Sequence, residues 1–159
     1  MSDAPPPSLR AAHLLTLNLV VDYAGLLNIG ELPAGRRRIA PVTGGIFTGA
    51  RLRGVILPGG ADWVLVRPDG NFTIDVRLAL KTDADALIYL TYQGLFTASP
   101  ETHSRLRRGE MLAPQDYKIR TVARFESGAE SCRWLNDVLA VGVGRQTKQG
   151  AEYEIFEIL

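Results

Sequence analysis

Cysteine is almost missing from this chain: its 159 residues include one, Cys132. A lone thiol forms no internal bridge, so a disulfide-stapled scaffold is excluded and a reducing compartment is the simpler expectation. Histidine is nearly as scarce, and His13 and His103 stand far apart. Neither HExxH nor CxxC spacing occurs, so no metal centre and no cofactor is expected. Neither sign of charge is in excess, with 18 Lys and Arg against 17 Asp and Glu. Neutralising a phosphate backbone takes a concentrated surplus of cations, so nucleic acid is not an expected partner. The exception is the run Arg36-Arg37-Arg38, which reads as a solvated turn or an interface face. No apolar stretch approaches the roughly 20 residues that span a bilayer, so no membrane partner is expected. The opening MSDAPPPSLR has no apolar h-region, which argues against a secretory signal. Its prolines and lack of periodicity suggest a flexible tail over residues 1–10. The cytoplasm is the default location.

What the chain does have is glycine, 16 of them, and apolar residues recurring with period two. The length suits one domain, over residues 11–159, with a real core. Leu15, Leu17, Leu19 and Val21 alternate in a first strand over 13–21. Short strands follow at 39–42, 52–57 and 63–66, the last two joined by Pro58-Gly59-Gly60. From Phe72 the alternation is strict: Phe72, Ile74, Val76, Leu78 and Leu80 against Thr73, Asp75, Arg77, Ala79 and Lys81. Such a strand has one buried and one polar face. Its return strand, 87–93, gathers Ile88, Leu90 and Tyr92 on the apolar side only if the loop is the three residues Asp83-Ala84-Asp85. That loop sets Arg77 opposite Thr91 and Asp75 opposite Gln93, and requires a left-handed residue near Asp85.

One short, superficial helix is expected after Ser99, with Pro100 at its first position and Gly109 at its stop. Strands resume at 117–125, 138–143 and 153–158, with a turn carrying Arg133-Trp134-Leu135-Asn136 before the second of these. About nine strands, one short helix and no βαβ rhythm read as an all-β protein, a closed antiparallel barrel or a sandwich.

The segments GRRRIAPVTGGIFTGARLRGVILPGGADW (35–63), DGNFTIDVR (69–77) and FESGAESCRWLN (125–136) resemble the domain-of-unknown-function 3237 family, along nearly the whole chain. The resemblance implies a small closed antiparallel β-barrel, often oligomeric, with no agreed activity. At the hairpin tip, similar sequences read Asp-Asp-Gly-Ala where this chain has Asp83-Ala84-Asp85-Ala86, so it lacks the glycine best suited to the left-handed position.

No established catalytic signature is present. Gly142-Val143-Gly144 and Thr43-Gly44-Gly45 open no helix after a parallel strand, so they read as turn glycines rather than a phosphate cradle. Ser104 and Ser131 sit in no nucleophile elbow. Cys132 beside Arg133 is either an inert thiol next to a turn or one whose thiolate the cation favours. What remains is a constellation of Asp, Arg, Tyr, Trp and Asn. Asp62 and Trp63 leave the Gly-Gly turn, where both could sit at a barrel mouth. The polar hairpin face offers Asp75, Arg77, Tyr89, Thr91 and Gln93, and two readings of it stand. In one it faces solvent, with Asp75 and Arg77 an exposed pair worth under about 1 kcal/mol. In the other it lines the lumen, where Arg77 clamps a carboxylate or polarises a carbonyl, Asp62 or Asp75 is a general base and Tyr89 a donor. Trp134 and Asn136 would then be an apolar wall and an orienting amide, or else core and turn. A lumenal polar face would leave the apolar face outside and call for a homo-oligomer to cover it.

The expected function is small-molecule binding, to an organic ligand bearing a carbonyl or carboxylate. The alternatives are a cofactor-independent lyase, hydratase or isomerase using an Asp base with Arg or Tyr stabilisation of an enolate, and a structural homo-oligomer with no ligand.

Overall fold

The computed structural model describes residues 7–159. Residues 1–6 of the expected tail therefore lie outside the described residues. Residues 7–10 are exposed and irregular, although the Arg10 carbonyl already accepts a hydrogen bond from the Leu159 amide at 3.0 Å.

The elements in chain order are β1 (Ala11–Val21), β2 (Leu27–Leu32), β3 (Gly35–Thr48), β4 (Arg53–Ile56), β5 (Gly60–Asp62), β6 (Leu65–Val66), β7 (Phe72–Thr82) and β8 (Leu87–Ala98). Helix α1 (Pro100–Arg107) follows, then β9 (Tyr117–Glu126), β10 (Leu139–Gln146) and β11 (Gly150–Ile158). Short 3₁₀ segments occupy Pro114–Asp116 and Glu130–Asp137. The strands run β1-β11-β10-β9-β8-β7-β4-β3 around the wall, and pairing of β1 with β3 closes it. Strands β5 and β6 fill the same gap between β3 and β7 further along, so the closed antiparallel barrel has eight wall positions. Strand β2 hangs on the outer part of β3.

The barrel is the expected one, with more segments than the expected nine. Of the strand expected at 63–66 only Leu65–Val66 forms, as β6, while β5 and β2 are additional, β5 beginning at Gly60 of the expected turn. In β2 the side chains are almost all exposed, Leu27, Ile29 and Leu32 among them, so no burial period marks it as a strand.

The β7–β8 hairpin has the expected register: Arg77 lies opposite Thr91 and Asp75 opposite Gln93. Asp85 takes the left-handed position, with φ at 64°. The Asp85 amide donates to the Thr82 carbonyl at 2.9 Å, and the Thr82 hydroxyl accepts from the Ala86 amide at 3.0 Å. Helix α1 begins as expected, the Ser99 Oγ accepting from the Thr102 amide at 3.1 Å, and Gly109 follows it at φ 79°.

Two glycine pairs read as turns lie within strands instead. Gly45, at φ 139°, belongs to β3 next to an irregularity in its pairing with β1. Gly144 of β10 faces inward, and a Cβ there would come within 2.7 Å of the Tyr153 ring. Its missing side chain makes room for that ring across the β10–β11 pair.

The apolar hairpin face fills the barrel: Ile74, Val76, Leu78, Leu80, Ile88, Leu90 and Tyr92 are all buried. Asp75, Arg77, Tyr89, Thr91 and Gln93 consequently face outward, since neighbouring residues on a strand point to opposite sides. This corrects the reading that put the polar face in the lumen. It also removes the packing argument for a homo-oligomer, because the apolar hairpin face is already covered by the chain's own core.

Candidate functional site

The two halves of the lumen are filled differently. Towards the β7–β8 tip, Leu15, Leu17, Phe47, Leu80, Ile88 and Leu90 are all but inaccessible. The Glu130–Asp137 segment adds Cys132 and Leu135 to this core. Towards the other end the aliphatic side chains no longer meet across the lumen, and a cavity of about 890 Å³ opens. Leu19, Val42, Ile74 and Val76 form apolar wall, and Asp62, Tyr92, Tyr153, Arg38 and His103 bring polar groups to it.

Asp62 reaches the cavity because β5 pairs on both sides. It lies opposite Ala40 of β3 and Val76 of β7, two inward-facing residues, and so it faces inward as well. Its Oδ1 accepts a hydrogen bond from the Asp75 amide at 3.1 Å, and the other oxygen has no hydrogen-bond partner among the described residues. Burial pushes its pKa up from the ordinary 3.8 to about 6. The Asp75 amide and the Arg37 guanidinium pull it down, the Asp75 charge pushes it up, and burial outweighs them.

Tyr92 and Tyr153 stand beside it, their ring centres 4.9 Å apart. The Tyr92 hydroxyl is sealed from solvent with no hydrogen-bond partner among the described residues. Burial, then the nearby Tyr153 and Asp62, hold the Tyr92 phenol well above its usual range. Burial and then Asp62 raise Tyr153 in the same way. Both phenols therefore stay protonated at neutral pH and keep a hydrogen to donate, next to a carboxyl whose pKa is raised to about 6.

The arginine run is a stretch of β3 rather than a turn. Arg36 and Arg38 are in phase with Ala40 and Val42 and line the cavity, whereas Arg37 points out and donates to the Trp63 carbonyl. Arg36 pairs with Glu31 at 2.8 Å. Arg38 makes no ion pair among the described residues, and its Nε is buried and unpartnered. His103, 4% exposed, anchors α1 over this end of the barrel. It donates from Nε2 to the Asn71 Oδ1 at 2.9 Å and packs against the stacked pair Phe72 and Phe96.

Of the candidate catalytic and ligand-binding residues read from the sequence, Asp62 alone lines the cavity. Arg77 and Asp75 form an outer-surface pair at 3.5 Å, with side chains 46% and 31% exposed. Trp63 lies outside with them, its ring 5.0 Å from the Arg77 guanidinium carbon. Gln93 reaches Asp75 at 3.4 Å, and Tyr89 and Thr91 stand on the same outer face. Trp134 belongs to the other half of the barrel, where Arg51 stacks on it at 3.3 Å. Asn136 is a fastener: it accepts from the Ser127 amide at 3.0 Å and donates to the Ser127 and Arg133 carbonyls at 2.9 and 2.8 Å. Cys132 is buried.

Arg38, Tyr92 and Tyr153 line the cavity and are absent from the candidates that the sequence offers. A signal existed for each. Arg38 keeps the phase of Ala40 and Val42, and Tyr153 keeps that of Ile155. Tyr92 was placed on the buried face, but nothing in the alternation distinguishes a core tyrosine from a cavity one.

Solved structures share this fold. A conserved protein of unknown function from Rhodopseudomonas palustris aligns with a TM-score of 0.90 at 29% identity, covering 97% of this chain and 100% of that one. A beta-barrel like protein from Acinetobacter baumannii aligns with a TM-score of 0.83 at 35% identity, covering 99% and 100%. An enzyme from Penicillium herquei aligns at 0.74 with 20% identity, covering 99% and 100%, a likeness of fold alone. The family model described as "Protein of unknown function (DUF3237)" matches residues 7–158, and the chain belongs to that family.

Proposed function

We propose that this protein binds a small organic molecule bearing a carbonyl or carboxylate inside the hollow half of its barrel. One observation carries the reading: a cavity of about 890 Å³ into which a partly buried carboxyl and two protonated phenols face together. Sites for small ligands are commonly about 300–1,000 Å³, mostly apolar, with a few convergent polar groups. Burying polar groups without partners is costly, and the opposite half of the same barrel is filled with leucine and isoleucine. A ligand oxygen would accept from Tyr92 or Tyr153, and a ligand hydroxyl would donate to Asp62.

The test is a ligand-observed NMR screen of small ketones, 2-oxo acids and aromatic acids against the wild type and Ala151→Phe, which fills the cavity wall. Binders should lose their signal with the filled variant. Binders indifferent to that substitution would place the site elsewhere.

A second reading rests on the Asp62 pKa of about 6, which suits a group that both takes and returns a proton near neutral pH. In that reading the Asp62 carboxylate removes a proton from the carbon next to a bound carbonyl. The C–H electron pair becomes the enolate C=C, and the oxygen is held by a lumenal tyrosine hydroxyl. Asp62 then returns the proton to the same or a conjugated carbon, so the net reaction is exchange or isomerisation. Arg77 and Tyr89 stand outside the barrel and take no part. Solvent deuterium entering the α-position of a bound ketone would be the signature. Asp62→Asn should remove it at least a hundredfold while leaving affinity nearly intact. Exchange that survives the substitution would end the acid–base reading.

A further inference from the structure

We infer that the ligand of this cavity is an organic anion, held by its carboxylate or an equivalent acidic group on Arg38, with its carbonyl or hydroxyl end turned to Asp62 and the tyrosines. The inference rests on the binding reading above and adds the ligand's charge and orientation. Four arginines line the cavity, and two are already neutralised: Arg36 by Glu31 at 2.8 Å and Arg67 by Asp69 at 2.6 Å. The remaining two, Arg38 and Arg107, have no carboxylate partner among the described residues. Arg107 donates to the Ser104 Oγ at 2.8 Å. Against them stands Asp62, whose charge is partly suppressed by burial. The cavity therefore carries a surplus of positive charge.

Arg38 is the better placed cation. Its amide bonds to the Val64 carbonyl at 2.9 Å, and Ala40, two residues on, lies opposite Asp62. Arg38 and Asp62 thus share the inner face of adjoining strands, about 7 Å apart along the wall by the two-residue strand repeat. Opposite charges that close would pair in a site built for stability alone, yet they form no ion pair. A guanidinium with a buried, unpartnered Nε is costly in itself, and a carboxylate would satisfy it with two parallel hydrogen bonds. The apolar wall between them suits an aromatic or aliphatic body. An oxo acid or hydroxy acid with such a body fits all three features.

A matched pair of fluorescent probes tests this: 1-anilinonaphthalene-8-sulfonate, and N-phenyl-1-naphthylamine, which has the same body without the acid. The wild type should bind the sulfonate more tightly. Arg38→Gln should weaken the sulfonate about tenfold to a hundredfold and change the neutral probe less than twofold, and Arg38→Lys should recover part of the loss. Thermal stability of Arg38→Gln should equal or exceed that of wild type, which a merely structural arginine would not allow. Equal weakening of both probes, or of neither, would overturn the anion handle. If both probes bind and Ala151→Phe weakens both, such a result leaves the binding reading standing. If neither probe binds the wild type, both inferences fail together.

Discussion

Leu17 and Leu19 sit on the same strand, point the same way and have different surroundings. Leu17 is fully buried among aliphatic side chains, while Leu19 forms wall of the cavity. The same division runs round the barrel. On β8, Ile88 and Leu90 give way to Tyr92, and on β11 Ile155 gives way to Tyr153. On β3 a fully buried Phe47 stands at one end and Arg38 at the other. One half of the lumen is filled for stability. The other carries buried polar groups that lower stability and present donors and an acceptor to a void. A wall closed by hydrogen bonds tolerates this, because the packed half and the continuous strand pairing hold the hollow half open.

The largest expected effect comes from comparing the two leucines directly. Leu17→Ala should cost about 4 kcal/mol in urea denaturation, and Leu19→Ala about 2 kcal/mol, because only the first opens a new void in close packing. Equal losses would break the distinction between the halves.

Asp62 sharpens it through pH. Its folded-state pKa of about 6 lies above the ordinary 3.8, so the folded protein holds this proton more tightly than the unfolded chain. The stability contributed by this group is fully present below about pH 4 and is lost as pH rises through about 6. Asp62→Asn keeps an oxygen to accept from the Asp75 amide and removes the buried charge. It should be about 2 kcal/mol more stable than wild type at pH 8, with the advantage vanishing by pH 4. Urea midpoints across that range measure it, and an advantage independent of pH would mean that the carboxyl is not desolvated.

The smallest effect belongs to the hairpin tip at the packed end. Asp85→Gly relieves the left-handed backbone and gives up an exposed ion pair with Lys81 at 2.8 Å. Such pairs contribute little, so a small rise in the urea midpoint is expected, with no change in probe binding. A loss of stability would show the ion pair to be worth more than the strain.

The barrel was largely legible in the sequence because burial imposes a period of two, and a hairpin register follows once the apolar residues must share a face. Arg77 opposite Thr91 and the left-handed Asp85 both came from that constraint. The site was mostly hidden for the same reason. Alternation assigns residues to two faces without saying which face closes on itself, and polar residues drew attention to Asp75, Arg77 and Tyr89 on the outside. Asp62 was found because its turn position was conspicuous. Arg38 was masked by its charged neighbours, which made a strand look like a solvated run. Tyr153 depends on Gly144 across the sheet, a relation that exists only once β10 and β11 are paired. Trp134 and Asn136 stand out in sequence as aromatic and polar turn residues, and their roles are local to the 3₁₀ segment, a stacked ring and an amide making three hydrogen bonds.

The most direct measurement of whether the hollow half is the binding site is a methyl NMR titration with 1-anilinonaphthalene-8-sulfonate. Saturable shifts are expected at Val42, Ile74, Val76 and Ile119, which line the cavity, with Leu15, Leu17, Ile88 and Leu90 unmoved. Shifts confined to the exposed outer residues Val122 and Val143, or none at all, would contradict this.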